Sequence, residues 1–400
     1  MNSTAKSMRL QIAVFGRTNT GKSSLVNYIS NQNVAITSPL AGTTTDAVEK
    51  AMEFAPIGPV LFIDTAGFDD PGELGGERIK RTEKIFDRSD VAVLVATPQS
   101  WGATELEIIA KASAHKIPVI TVLTHCDIQS PTPELQTQIK QHSQHLLQVD
   151  PRCPELRSDF IDRFRAALLA VLPEQWIKPP PLLGDLIRSG DLVVMVVPID
   201  LQAPRGRLIM PQVQSIRDVL DHNAMILVLK EDRFAEVIRQ INPAPALVVC
   251  DSQVVKMVTG ATPPGIPCTT FSILFSRLKG DTRLFLRGCQ QISALQDGDR
   301  ILIAEACTHH PTCEDIGRVK LPVLLKKATG KALEFDFAPG RDFPENLAQY
   351  KLIVHCGSCM LNRQETMWRL HCAEKAQIPI TNYGMAISYC QGVLDKVLVP

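Results

Sequence analysis

Short apolar runs recur along the whole chain, separated by stretches with helical spacing. Arg9 to Phe15 alternates and then turns wholly apolar, and Val60–Ile63 and Pro118–Leu123 follow it as buried-strand candidates. Later come Leu192–Val197, Ala224–Leu229 and Ala246–Cys250, and later still Ile301–Ile303, Leu333–Phe337, Leu352–Val354 and Ile378–Thr381. Between them Ser24–Ile29, Phe160–Leu172, Val213–Leu220, Phe271–Leu278 and Leu284–Leu295 carry helical patterns. Strands alternating with helices predict parallel α/β sheets. Proline-rich breaks at Lys178–Pro181 and Thr262–Pro267 divide the chain into three expected domains, 1–177, 182–261 and 266–400.

The first apolar run leads into Gly16-Arg-Thr-Asn-Thr-Gly21-Lys22-Ser23, with the helical Ser24-Leu-Val-Asn-Tyr-Ile directly after. A GxxxxGKS loop between strand and helix cradles phosphates with backbone N–H groups. Lys22 reaches the β- and γ-phosphates, Ser23 offers its hydroxyl to Mg²⁺, and the helix dipole adds attraction. The strand Val60–Ile63 ends in Asp64-Thr-Ala-Gly67, which places Asp64 in the Mg²⁺ shell and the Gly67 amide as a γ-phosphate sensor. Gly42-Thr-Thr44-Thr-Asp46 lies between them, where Thr44 can close over the metal in the triphosphate state. A switch GTPase is expected, using GTP and Mg²⁺.

The base-reading segment departs from the usual Asn-Lys-x-Asp. Thr124-His125-Cys126-Asp127 stands there, with Asp127 able to accept from guanine N1 and N2. Thr124 lacks the asparagine amide and His125 is a shorter stacking surface than lysine, so weaker nucleotide binding is expected. No Ser-Ala base-contact loop is evident between Gln141 and Ser158, and His142 and His145 read as a solvated helix face.

The C-terminal third holds the second chemistry. Cys307-Thr-His309 follows one apolar run and His355-Cys356-Gly-Ser-Cys359 follows another. Three thiols and two imidazoles at the C-terminal ends of two parallel strands form a candidate metal or iron–sulfur site. Glu305, Cys313 and Asp315 lie close enough in sequence to compete as donors. Two other readings fit the residues: a structural Zn²⁺ held by four of the five donors in a ribosome-assembly type of GTPase, and a thiol–disulfide sensor at the CxxC. The middle domain carries no catalytic pattern and is expected to mediate interaction.

Lysine plus arginine equals aspartate plus glutamate, 42 against 42, so charge points to neither nucleic acid nor an anionic membrane. The 11 cysteines are scattered, Met1 to Met8 is polar, and no apolar stretch approaches the roughly 18 residues a membrane span needs. A reducing cytoplasm is the expected setting.

Two resemblances add to these readings. GRTNTGKSSLVN, GTTTD and DTAGFDD resemble the TrmE-Era group of GTPases over about the first 130 residues. That resemblance implies GTP contacts from Gly16, Asn19, Thr20, Gly21, Lys22, Ser23, Ser24, Asp64 and Asp127. It also implies an apolar residue, Phe68, in place of the hydrolytic glutamine, and K⁺ as a candidate ion at Asn19. EACTHHPTCEDIGRVKLP, VHCGSCMLNRQE and IPITNYGMAISY, joined to that GTPase segment, resemble the [FeFe]-hydrogenase maturation GTPase family, HydF, across the full chain, and VPIDLQAPRGRLIMPQVQSIRDVLD fits as well. This implies a scaffold or carrier for the two-iron subcluster of the hydrogenase, with a dimerising middle domain. Cys307, Cys356 and Cys359 would hold a [4Fe-4S] cluster whose fourth iron takes a labile ligand. His309 and His355 are candidates for that ligand or for a hydrogen bond behind it. Implied partners are the apo-hydrogenase, the radical-SAM maturases HydE and HydG, and further copies of the chain.

Overall fold

The computed structural model describes residues 4–31, 47–69, 75–173, 176, 180–199, 208–306 and 315–400. Thr44, with the rest of Gly42–Asp46, and Cys307, His309 and Cys313 lie outside the described residues. The chain divides into two compact units, residues 1–179 and 180–400.

The first unit is built on β1 (Leu10–Phe15), whose six residues are all buried because neighbouring strands flank it on both sides. β2 (Val48–Phe54), β3 (Gly58–Asp64), β4 (Val91–Ala96), β5 (Val119–Leu123) and β6 (His145–Gln148) complete a sheet of order β2-β3-β1-β4-β5-β6. Only the β2–β3 pair is antiparallel. Helices α1 (Lys22–Ser30), α2 (Gly75–Phe86), α3 (Ala103–Ala114) and α4 (Pro133–His142) cross over between strands, and α5 (Arg157–Val171) follows the last of them. On one face Phe54, Phe62, Phe160 and Phe164 pack with ring centroids 6.0–6.5 Å apart. On the other, Phe15 stacks on Phe86 at 4.1 Å. Each of these rings contributes about 1.5–3 kcal/mol by leaving water. His142 and His145 do not share a helix face: the first ends α4 and the second opens β6.

The second unit contains two wholly parallel four-stranded sheets. β7 (Leu192–Val196), β8 (Met225–Leu229), β9 (Leu247–Cys250) and β10 (Cys268–Thr270) form the first, in the order β10-β9-β7-β8. β10 is too short to announce itself as an apolar run, and it carries this sheet past the break expected at 262–267. Helices α6 (Met210–Asp221), α7 (Glu231–Gln240) and α8 (Val255–Ala261) connect its strands, and α9 (Phe271–Lys279) and α10 (Thr282–Gln290) lead onward. β11 (Arg300–Ala304), β12 (Glu334–Ala338), β13 (Leu352–His355) and β14 (Ile380–Asn382) form the second, in the order β12-β11-β13-β14. Its helices are α11 (Leu321–Thr329), α12 (Arg363–Lys375) and α13 (Tyr383–Cys390).

The two sheets share one core, in which Val194, Val248 and Phe234 join Ile301, Ile353 and Ile380. The chain's end ties them further. Val397 pairs with Cys268 beyond the edge strand β10, Leu398 N–H donates to Cys268 O at 2.7 Å, and Thr269 Oγ1 donates to Leu398 O at 2.8 Å. A sheet that borrows its neighbour's tail cannot separate from it without losing backbone hydrogen bonds.

Candidate functional site

At the end of β1 the chain turns so tightly that a side chain has no room. Gly16 has φ +149°, and a Cβ there would lie 2.2 Å from Val95 O. Asn19 follows in the left-handed region at φ 62°, and it is exposed. Lys22 opens α1 and folds back across the loop, its ammonium donating to Gly16 O at 3.2 Å and Arg17 O at 2.7 Å.

Ser23 Oγ donates to Asp64 Oδ2 at 2.5 Å, while Asp64 Oδ1 is buried with no hydrogen-bond partner among the described residues. Burial pushes the Asp64 carboxyl up from its ordinary value, opposed by the Ser23 hydrogen bond and the Lys22 charge. A buried carboxylate oxygen left without a donor, beside a hydroxyl, suits a small divalent cation such as Mg²⁺.

Gly67 is required by contact. A Cβ there would fall 2.1 Å from Thr18 Oγ1 and 2.7 Å from Thr18 N, so the segment after β3 lies directly against the phosphate loop. The same approach is held by Thr18 N–H donating to Asp69 Oδ1 at 2.7 Å and Phe68 N–H donating to Gly16 O at 3.2 Å. Phe68 itself is buried, edge-on to Phe86 and under the Lys111 ammonium at 5.0 Å.

No sequence pattern announces the brace behind the loop. Arg17 donates to Glu105 Oε1 at 2.9 Å and to Oε2 at 3.1 Å, and Gly102 N–H adds a bond to Oε2 at 2.9 Å. Glu105, in the first turn of α3, is fully buried and so depends on these donors.

Thr124 takes a position that its chemistry alone did not suggest. Its hydroxyl donates to Thr20 O at 2.7 Å, tying the base-reading segment to the phosphate loop. His125 sits at φ 54° with its ring near Gly21. Asp127 pairs with Arg152 at 2.5 Å, and that guanidinium holds the Asp127 carboxyl below its ordinary value. Arg152 also pairs with Asp150 at 2.9 Å, holding that carboxyl at about 2. The loop after β6 thus reaches Asp127, a relation invisible in the sequence.

In the second unit, β12 lies on one side of β11 and β13 on the other, so the strand order reverses between β11 and β13. In open parallel sheets ligands bind beyond the C-terminal ends of the strands at such a reversal. His355 pairs with Ala304 in register, Cys356 N–H donates to Ala304 O at 2.9 Å, and Ala306 N–H donates to Cys356 Sγ at 3.1 Å. Ala306 is the last described residue before Cys307. Ser358, at φ 56°, turns the chain between the two thiols, and Asn362 caps α12 by accepting from Glu365 N–H.

His355 is fully buried and both ring nitrogens are engaged. Nδ1 lies 2.9 Å from Cys356 O and 3.3 Å from Ser358 Oγ, and Nε2 lies 3.3 Å from the Arg369 guanidinium. Burial, then the Arg369 charge, lowers its pKa to about 3, so the ring is neutral, with Nδ1–H donating and Nε2 accepting. Both ring nitrogens of His355, one of the two histidines expected near the cluster, are therefore occupied here. Arg369 also donates to Gly340 O at 2.7 Å, and Glu305 is buried against Arg318 at 3.1 Å. Asp315 caps the following turn by accepting from Arg318 N–H at 2.7 Å, so neither acid stands idle as a donor.

Among the described residues no group of three or more His, Cys, Asp or Glu side chains is placed to hold a metal ion. Cys356 and Cys359 bring two thiols, and the other expected donors, Cys307 and His309, lie outside the described residues. A backbone N–H on a thiol sulfur, a part-buried loop and nearby buried cations suit an anionic metal–thiolate group.

Comparison with known proteins decides the family. Residues 182–280 match the hydrogen maturase F dimerization domain, and residues 283–400 match the hydrogen maturase F tetramerization domain. The chain belongs to the hydrogen maturase F family. Together those two domains account for more than half of it, and residues 11–125 match the 50S ribosome-binding GTPase family, so the first unit of this maturase carries a GTPase domain. Within that domain the maturase is 40% identical over 122 residues to the tRNA modification GTPase MnmE of Synechococcus sp. (strain JA-3-3Ab), covering 30% of this chain and 26% of the relative. It is 47% identical over 96 residues to GTPase Der of Thermomicrobium roseum, covering 23% and 21%. The chain spans about a quarter of the length of the curated relatives it matches. Among solved structures, Aquifex aeolicus Era bound to GDP.AlF4- is 20% identical, with 58% of this chain and 98% of that one covered at a TM-score of 0.36. No helix among the described residues is long and apolar enough to cross a membrane.

Proposed function

We propose that this maturase binds and hydrolyses GTP with Mg²⁺ at its phosphate loop and holds a [4Fe-4S] cluster at its thiol loop. It would serve as the scaffold on which the two-iron subcluster of [FeFe]-hydrogenase is assembled and from which it is handed to the apo-enzyme. The observation that carries this reading is the placement of Cys356 and Cys359 at the strand reversal of a domain matching hydrogen maturase F, with Ala306 N–H on the Cys356 sulfur.

Each residue has a task in this reading. Lys22 and the loop amides bind the β- and γ-phosphates, Ser23 and Asp64 hold Mg²⁺ with Thr44 closing over it, and the Gly67 amide reports the γ-phosphate. Asp127 reads guanine after parting from Arg152. Asn19 is the candidate K⁺ contact. Cys307, Cys356 and Cys359 would hold the cluster, which would supply an iron with an exchangeable ligand position for the incoming cargo. The radical-SAM maturases HydE and HydG act upstream and the apo-hydrogenase downstream. GTP hydrolysis rearranges the segments around Thr44 and Gly67 and so times loading or release.

A homo-oligomer completes the reading. β8 is an edge strand with Met225 48% and Val228 42% exposed, and Val213 and Leu220 of α6 are exposed beside it, an apolar surface suited to a second copy.

Anaerobic iron and sulfide analysis, with electron paramagnetic resonance after reduction, tests the proposal. About four irons per chain and a reduced signal that shifts with imidazole or cyanide are expected. Zinc with no visible absorption after anaerobic reconstitution overturns it.

A further inference from the structure

The loop that carries both thiols rests on a buried ammonium. Lys279 is the last residue of α9, the residue is 3% exposed, and its Nζ donates to Ser358 O at 3.1 Å, Cys359 O at 3.4 Å and Leu361 O at 2.5 Å. Three protons thus meet three carbonyls of one turn. The Phe275 ring lies 5.7 Å away on the same helix. Among the described residues no carboxylate lies within ion-pair distance of Nζ. Glu365 attracts it only through space and is itself near Arg369 at 3.6 Å and Arg341 at 3.7 Å.

A buried cation with carbonyls but no counter-ion is costly, and such charges are normally paired or neutralised. Among the described residues, only negative charge on the loop would match it.

We infer that Lys279 is a positioning residue of the thiol site. It fixes the Ser358–Leu361 turn through three carbonyls, and its charge offsets a net-anionic iron–thiolate group on Cys356 and Cys359. This rests on the cluster reading above and deepens it. A positive charge fixed beside the group favours its more negative, reduced form, so Lys279 holds the reduction potential up. Carbonyl anchoring alone has no such consequence.

The test uses the full chain, reconstituted anaerobically with iron and sulfide and titrated with dithionite. Lys279→Gln keeps an N–H donor for the turn and removes the charge; Lys279→Met removes both; Lys279→Arg keeps both. Expected are a potential shifted negative in Lys279→Gln, several-fold poorer iron retention in Lys279→Met, and a return towards the parent potential in Lys279→Arg. Arg277→Met serves as the control, because Arg277 is a cation on the same helix that pairs with Asp185, and it should leave the potential in place. If Lys279→Met does not fold, Lys279→Gln decides. Iron uptake with the parent potential in Lys279→Gln overturns the inference and spares the cluster reading. No iron uptake by the parent protein overturns the cluster reading and the inference with it.

Discussion

The phosphate loop and the thiol loop occupy the same kind of place, the C-terminal end of a central parallel strand beside a reversal of strand order, yet they are built differently. The phosphate loop is one contiguous segment, held from outside by Glu105, Asp69 and Thr124. Its strand, glycines, lysine and serine are contiguous from Leu10 to Ser30, and its conformation follows from Gly16, which no side chain could replace. The thiol loop is assembled from distant segments: Ala306 from one strand end, Cys356 from another, Lys279 from α9 and Arg369 from α12. A site that backbone geometry makes can be read from a short motif. One that depends on buried charges from several helices cannot.

The sharpest way to break this comparison is to remove one chemistry at a time. Lys22→Ala should lower GTP hydrolysis roughly a hundredfold or more while leaving iron content unchanged. Cys356→Ala should do the reverse. A variant that loses both functions would show that the two loops are not independently built. Phosphate release and iron content measured on the same preparations decide this.

Next in size is the brace. Arg17→Met leaves the Glu105 carboxylate buried with only Gly102 N–H, so the first unit should lose about 3 kcal/mol in chemical denaturation. An unchanged midpoint would mean that water or another donor reaches Glu105.

The thiol region should respond to acid. His355 stays neutral in the fold down to about pH 3, whereas an unfolded imidazole takes its proton near pH 6.5. Between those values the unfolded chain binds more protons. The stability tied to the neutral ring is therefore complete above pH 6.5 and falls by about 1.4 kcal/mol per unit as the pH drops towards 3. Urea unfolding of the metal-free protein at pH 7, 6 and 5 measures the slope. In His355→Gln this contribution to the slope should vanish.

Smallest is the tether between base-reading segment and phosphate loop. Thr124→Val removes the bond to Thr20 O, and a loss of about 1 kcal/mol, roughly fivefold in GTP affinity by calorimetry, is expected. Unaltered affinity would mean that Thr124 does nothing for the nucleotide.

Much of the fold was legible because parallel strands buried on both faces are nearly continuous apolar runs. Leu10–Phe15, Val91–Ala96 and Leu352–His355 are fully buried. β8, with an exposed, half-buried and apolar sequence, reads the same way, so apolarity announced the strand but not its position at an edge. β10 was not legible, since three residues carry no periodicity and its pairing with β9 is a tertiary event. The Thr124 tether and the Arg152–Asp127 pair escaped for a related reason: each joins elements at least 25 positions apart or on separate loops, where residue type says nothing about reach.

By itself the sequence determined the α/β class, the phosphate loop with Lys22 and Ser23, the position of Asp64 after its strand, and the pair of thiols at the end of another. All of these follow from local patterns of apolar residues and glycine. Only the tertiary structure decided that Glu105 braces the phosphate loop, that the ring of His355 is turned to a carbonyl and a guanidinium, and that Lys279 underlies the thiols. Those are interactions of buried charged and polar groups, and a buried charge takes its meaning from partners that the fold, not the neighbouring sequence, brings within reach.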